Sequence, residues 1–183
     1  CLVHGFLFDP RMTWRPDPAD SDNPHCRLYH FRDLGESSEI RNHTAGWPLH
    51  LGLAENDGGV GGIALAFGWH SQPGFASSLL TRFENFYARA YDYANETAWP
   101  LVCALRALAR RVTDRPIDIF CHSLGSTVVV RALAIAAKHQ FPFLDRIGRV
   151  VILGGSEYSG EANILYRRLE QHVGDRRLPR AEG

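Results

Sequence analysis

A strand-like segment and a helix-like segment meet at the pentapeptide Cys121-His122-Ser123-Leu124-Gly125. Residues 116–120 (PIDIF) form a short apolar run that predicts a buried strand. Residues 126–138 (STVVVRALAIAAK) are long and alanine-rich enough to predict a helix. A strand, a tight turn with a central serine and a helix are the setting that a nucleophile elbow needs; in such an elbow the serine Oγ is held at the carboxyl edge of a sheet.

The residues beside Ser123 meet the steric demands of such a turn. The residues two positions before and two positions after the serine must be small. Gly125 meets this demand, and so does Cys121, which stands where glycine is more usual. The following helix would place the positive end of its dipole beneath the serine. The alternative is an ordinary turn with a serine N-cap. The flanking strand and helix favour the elbow, supported by Cys121 and Gly125.

Length and charge are typical of a single globular domain with no nucleic-acid partner. The chain has 183 residues, 45% hydrophobic and 22% charged, which is enough for one domain with a core. Twenty basic and twenty acidic residues balance, so no nucleic-acid partner is predicted. No apolar run reaches membrane-spanning length and no signal peptide is visible. The chain begins at Cys1 without a Met, so a preceding stretch is expected to be missing.

The four cysteines and the histidines show no metal-binding spacing. No metal and no cofactor is predicted. Cys103 and Cys121 are expected to be buried free thiols, which favours a reducing compartment and a cytoplasmic location.

A second short motif, His4-Gly5, follows the apolar pair Leu2-Val3 near the start of the chain. Upstream of an elbow, such a strand end resembles the loop that supplies half of an oxyanion hole. The two donors would be the backbone N–H groups of Phe6 and Leu124. The alternative is a plain turn at the end of a strand.

The remaining segments alternate between strand and helix patterns. Residues 9–62 are polar, interrupted by prolines and closed by glycines, which is typical of a binding loop or lid. Residues 63–69 and 149–155 predict buried strands, and residues 79–112 and 162–173 predict helices. Pro100 is expected to kink or divide the longer helix. Its apolar stripe consists of Leu101, Leu105, Leu108 and Val112.

This alternation predicts βαβ units, and therefore an α/β fold with a mostly parallel sheet covered by helices. Ligands bind such sheets at the carboxyl ends of the strands. Ser123 and Glu157 fall at that edge, and a pocket there is expected to involve four further side chains: His4, Trp69, His70 and His122.

Three motifs resemble the alpha/beta-hydrolase superfamily of lipase- and esterase-like serine hydrolases: Val3-His4-Gly5-Phe6, Phe67-Gly68-Trp69-His70-Ser71, and the elbow through Ser126. The chain is most similar to bacterial members with unassigned substrates whose strand ends aromatic-x-Trp. The resemblance covers residues 1–8 and 60–160. It implies a three-layer fold in one domain (1–183), truncated at both ends, with residues 9–62 as an insertion or lid-like loop.

The resemblance also implies acyl transfer from a small-molecule substrate to Ser123, with a histidine base and an acid that orients it. Glu157 follows the nucleophile at a strand end, where some members carry the acid; equally, it is an ordinary Glu before a helix. His139 and His172 are the histidines after Ser123, and both are expected to lie far from it. The chain is therefore predicted to lack its catalytic histidine, with the base beyond Gly183. The competing function is a non-catalytic binding or interaction domain on a degenerate hydrolase scaffold.

Overall fold

Parallel strands and long helices make up the part of the chain that this computed structural model describes, namely residues 1–6, 47, 51, 62–71, 83–157 and 159–177. In chain order the elements are β1 (Leu2–Val3), β2 (Ala66–Phe67), α1 (Phe83–Arg111), β3 (Ile117–His122), α2 (Gly125–Lys138), a 3₁₀ helix (Pro142–Arg146), β4 (Ile147–Leu153) and α3 (Ser159–Arg177).

The sheet has the strand order β2-β1-β3-β4, and every pairing within it is parallel. This arrangement confirms the predicted α/β class. Strand β2 lies on one side of β1, and the next strand in the chain, β3, lies on the other side, so the direction of strand addition reverses at β1. Such a reversal opens a crevice between the carboxyl ends of β1 and β3, where doubly wound sheets bind their ligands.

Strand β3 alternates strictly, because successive side chains of a strand point to opposite faces. Ile117, Ile119 and Cys121 are buried in the core formed with α1 and α2. Phe120 lies on the opposite face, where the ring of Trp47 meets it edge-on at 5.3 Å. The predicted strand and the predicted helix α2 are confirmed to within two residues.

Helix α2 is apolar around almost its whole circumference. It packs against both α1 and α3 as well as the sheet. A helix with neighbours on every side needs no polar face, which explains the run of valines and alanines after the elbow.

Helix α1 is continuous over 29 residues, so of the two effects predicted for Pro100, a kink or a division, the division is wrong. Pro100 lies on the exposed side, where water can solvate the carbonyl that loses its helical donor. Packing of Leu101 and Leu105 into the core stabilises the helix through this position. Cys103 was also expected to be buried and is exposed. It lies about 200° around the helix from Leu101.

Two strands are shorter or less buried than predicted. Residues 63–69 contribute only the two-residue β2, and Ile63 is 81% exposed. The reason is that β2 pairs with β1, which itself contributes only Leu2–Val3. Strand β4 begins and ends two residues earlier than predicted, and residues 148–150 are exposed. Within the described sheet, β4 is an edge strand.

A bulge in β4 is held by a carboxylate of β3. Between the pairs Ile117↔Ile147 and Ile119↔Val150, β4 carries one extra residue. Asp118 Oδ1 accepts the backbone N–H of Arg149 at 3.0 Å, and its Oδ2 accepts the Arg149 guanidinium at 2.8 Å. The side-chain hydrogen bond from Arg149 holds the pKa of Asp118 below its usual value.

Candidate functional site

Ser123 occupies a strained turn between β3 and α2. Its φ is +50°, a left-handed conformation that is uncommon for a residue with a side chain. The Ser123 N–H donates to Leu153 O at 2.9 Å, and its carbonyl accepts the N–H and Oγ of Ser126 at 2.9 and 2.6 Å. Such conformations persist only where surrounding contacts impose them, and they concentrate at functional sites.

Close packing of helix α2 on strand β1 explains the glycine after the serine. A Cβ added to Gly125 would lie 2.4 Å from the carbonyl oxygen of His4 and 2.7 Å from that of Val3. Real Cβ atoms essentially never approach so closely. The first turn of α2 therefore lies directly against the end of β1, and Gly125 makes this approach sterically feasible.

Cys121 lies on the other side of the turn, fully buried in the core. Its Sγ donates a long hydrogen bond of 3.5 Å to Val151 O. Burial raises the pKa of the Cys121 thiol to about 12. The expected burial of this thiol is confirmed, and its protonated state at neutral pH makes it a poor nucleophile.

The loop after β1 touches the elbow at Gly5. A Cβ on Gly5 would lie 3.0 Å from each of three atoms: His122 Nδ1, His122 O and Ser123 Cβ. Two motifs that are far apart in the sequence thus meet in the crevice between β1 and β3.

His4 and Trp69 are interlocked beneath this loop. The backbone N–H of Trp69 donates to His4 Nε2 at 2.9 Å, and the indole Nε1–H donates to the His4 carbonyl at 2.8 Å. The two rings stack with centroids 5.4 Å apart and planes 8° apart. Because His4 is 1% exposed and Trp69 3% exposed, these residues support the loop from below and do not form an open pocket surface.

One predicted oxyanion donor, Leu124, directly follows Ser123 in the chain, and the other, Phe6, directly follows Gly5, which touches the elbow. Among the described residues, none accepts a hydrogen bond from the backbone N–H of Phe6 or Leu124. The Phe6 ring packs edge-on against Phe86 and Tyr87 of α1, each at 5.7 Å, which anchors the loop laterally. Both N–H groups are therefore uncommitted to the described part of the fold.

His70 and His122 lie at the same edge of the sheet. His70 is exposed, with its ring 5.2 Å from that of Tyr93. His122 is half-buried, between Gly5 and the ring of Trp47, whose centroid is 6.3 Å away. The hydrogen bonds that the structure describes for Ser123 all involve its backbone.

The histidines after Ser123 lie in other elements. His139 forms the C-cap of α2, at the opposite end of that helix from Ser123, and its ring stacks on Phe141 at 5.7 Å. His172 belongs to α3, whose backbone alone is described at that position.

Glu157 lies in the loop after β4 with its side chain only 6% exposed. Its Oε1 accepts the hydroxyl of Tyr91 at 2.5 Å and faces Arg131 Nη2 at 3.4 Å. The same Arg131 nitrogen donates to the Tyr91 hydroxyl at 2.9 Å. Glu157 Oε2 is buried and has no hydrogen-bond partner among the described residues. One carboxylate oxygen is thus fixed in place while the other is not.

A set of hydroxyl groups that sequence analysis missed joins the Glu157 loop to the elbow. Ser126 Oγ accepts the N–H of Ser156 at 3.1 Å while it donates to Ser123 O. Thr127 Oγ1 lies 3.3 Å from Ser156 Oγ. Two consecutive hydroxyl residues opening an apolar helix were the available signal in the sequence.

A separate cavity of about 760 Å³ opens at the amino-terminal edge of the sheet. Its lining mixes apolar side chains such as Leu2 and Val151 with Arg111, Asp118 and Arg149. It lies at the opposite edge from Ser123, and doubly wound sheets bind ligands at the carboxyl edge. We therefore place the candidate site at Ser123.

Within the described ranges, no group of three or more His, Cys, Asp or Glu side chains could hold a metal ion. None of the helices in those ranges combines the length and the apolar character needed to cross a membrane. No protein-family model, curated protein or solved structure matches the chain.

Proposed function

We propose that this chain belongs to a serine hydrolase of the alpha/beta-hydrolase type, which cleaves an ester-type acyl bond through Ser123. In the proposed reaction Ser123 Oγ attacks the acyl carbon, and its proton passes through a histidine base to the departing alcohol as the C–O bond breaks. Water then hydrolyses the acyl-serine. The N–H groups of Phe6 and Leu124 stabilise the tetrahedral oxyanion.

The observation that carries this proposal is the positive φ of Ser123 at a strand-to-helix turn. A serine N-cap would need no such conformation, because N-cap residues have extended backbones. The contact between Gly5 and the elbow adds support, because an oxyanion hole requires two chain segments to meet at the nucleophile. The strand order also places this meeting point at the crevice between β1 and β3.

Glu157 is the acid in this proposal. A triad acid must be ionised, oriented and left with one oxygen for the imidazole N–H. Tyr91 and Arg131 orient Oε1 through contacts of 2.5 and 3.4 Å. Glu157 Oε2 keeps the acceptor capacity that a histidine would use.

Covalent labelling tests the proposal, in protein that carries the proposed histidine base. A fluorophosphonate should phosphonylate Ser123 with loss of fluoride, and mass spectrometry should find the adduct on the peptide that contains the elbow. Ser123→Ala should abolish the adduct, whereas the matched control Ser156→Ala should keep it. Glu157→Gln should slow labelling while preserving the side-chain shape. An adduct on another serine, or one that survives in Ser123→Ala, would contradict the assignment.

The cavity at the amino-terminal edge gives specific support to the competing function, a non-catalytic binding domain on the same scaffold. The same labelling experiment separates the two. A binding domain would leave Ser123 unmodified by the fluorophosphonate even though the protein is folded.

A further inference from the structure

We propose that His4 is a positioning residue, which sets the direction of the candidate oxyanion donor through the Gly5–Phe6 peptide. This inference rests on the proposed function and deepens it. His4 is buried beneath the loop and is not placed to touch a substrate. It acts through its hydrogen bond to the carbonyl of Gly5.

The hydrogen bonds of the His4 ring define its tautomer. The backbone N–H of Trp69 can only donate, so His4 Nε2, at 2.9 Å, must offer a lone pair. The proton of the neutral imidazole is therefore on Nδ1. His4 Nδ1 lies 2.9 Å from the carbonyl oxygen of Gly5, which is the acceptor that this tautomer requires.

The planarity of the peptide bond carries this contact to Phe6. No peptide bond in the described residues is cis. In a trans peptide the carbonyl of Gly5 and the N–H of Phe6 point in opposite directions from one plane. When His4 Nδ1–H holds the Gly5 carbonyl, the Phe6 N–H is directed away from the His4 ring.

The loop needs such a restraint because Gly5 has no side chain to limit its backbone rotation. A Cβ there would crowd His122 and Ser123, so glycine is required where rigidity is also required. His4 resolves this conflict, since Trp69 fixes it from three directions: the backbone N–H, the indole N–H and the stacked ring.

Nitrogen NMR tests the tautomer without any reference to activity. Long-range ¹H–¹⁵N correlation spectra of the imidazoles, with His4 identified by its disappearance in His4→Asn, should show the proton on Nδ1 at neutral pH. A proton on Nε2 would overturn the inference.

Two variants then separate the positioning role from a merely structural one. In His4→Asn the amide nitrogen takes the place of Nδ1 and can donate to Gly5 O, but the Trp69 N–H loses its acceptor. In His4→Gln the amide oxygen takes the place of Nε2 and can accept from Trp69, but Gly5 O loses its donor. We expect Asn to have the lower melting temperature and to keep most of the rate at which a fluorophosphonate labels Ser123. Gln should melt higher and label about 100-fold more slowly, as expected for loss of one oxyanion donor.

The outcomes distinguish this inference from the proposed function. If wild-type Ser123 forms an adduct and the labelling rates of the variants simply follow their melting temperatures, His4 is structural and the inference fails alone. Unchanged labelling in folded His4→Gln would overturn it as well, and that variant decides the matter if His4→Asn does not fold. If Ser123 forms no adduct in folded protein that carries the histidine base, the proposed function fails, and the inference fails with it.

Discussion

Replacement of Gly125 by Ala should destabilise the protein by about 3 kcal/mol. The new Cβ would lie 2.4 Å from the His4 carbonyl oxygen, so α2 must move by about 1 Å to reach ordinary contact. Overpacking of this kind costs about 1–3 kcal/mol, and the upper end applies because both opposing atoms are backbone. Movement of His4 O also weakens its hydrogen bond from the Trp69 indole, worth about 1 kcal/mol. The higher helix propensity of alanine relative to glycine offsets about 1 kcal/mol of this destabilisation.

The matched control is Gly160→Ala in the first turn of α3. A Cβ at Gly160 would meet no atom within 4 Å, so this variant should be neutral or slightly stabilised. Urea unfolding followed by circular dichroism measures both free energies, with equal m-values required for the comparison. If Gly125→Ala proves as stable as Gly160→Ala, the close approach of α2 to β1 is wrong, and the steric argument for the elbow is wrong with it.

Cys121 should resist iodoacetamide at pH 8 while exposed Cys103 reacts, because burial raises the pKa of Cys121 to about 12. Peptide mass spectrometry on folded and urea-unfolded protein measures the alkylation of each thiol. Equal alkylation of both thiols in the folded state would refute this prediction. Asp118→Asn should remove one source of acid sensitivity. Since the pKa of Asp118 is lowered by Arg149, its carboxylate stabilises the fold above the unfolded-state pKa, and this contribution disappears as the pH falls below about 4. The difference in unfolding free energy between wild type and Asp118→Asn should therefore shrink from about pH 6 to about pH 3, the range that includes titration of a carboxyl group. A difference that grows as the pH falls would contradict the stabilising role of the Asp118 carboxylate.

Local pattern was sufficient for the central elements of the fold. Residues 117–122 alternate between buried and half-exposed positions, and α2 is too long and too apolar to be anything but a buried helix. The failures lie where tertiary context decides. Nothing local shows that Ile63 stays exposed because β1 offers only two residues for pairing. Nothing local shows that Pro100 falls on the solvated side of α1.

The candidate site likewise combines features that local sequence predicts with features that only tertiary contacts determine. Small residues around Ser123 and the His4-Gly5 pair are local features, and the sequence placed them at one sheet edge. The burial of His4 against Trp69 depends on two segments 65 residues apart, so it was inaccessible to pattern analysis. The Ser126–Ser156 bridge is of the same kind, because a hydroxyl in the first turn of a helix has many potential partners and only the fold selects one.

At Ser123, whose backbone is strained, selection for stability and selection for activity favour different residues. A non-glycine residue with positive φ costs of order 1 kcal/mol or more, a cost that glycine would not incur. Any search for thermostable variants of this chain that ignores activity should therefore arrive at glycine in position 123, with Ser123→Gly more stable than Ser123→Ala. In natural sequences, retention of serine there would mark lineages in which the hydroxyl is in use, and drift to glycine would mark lineages in which it is not.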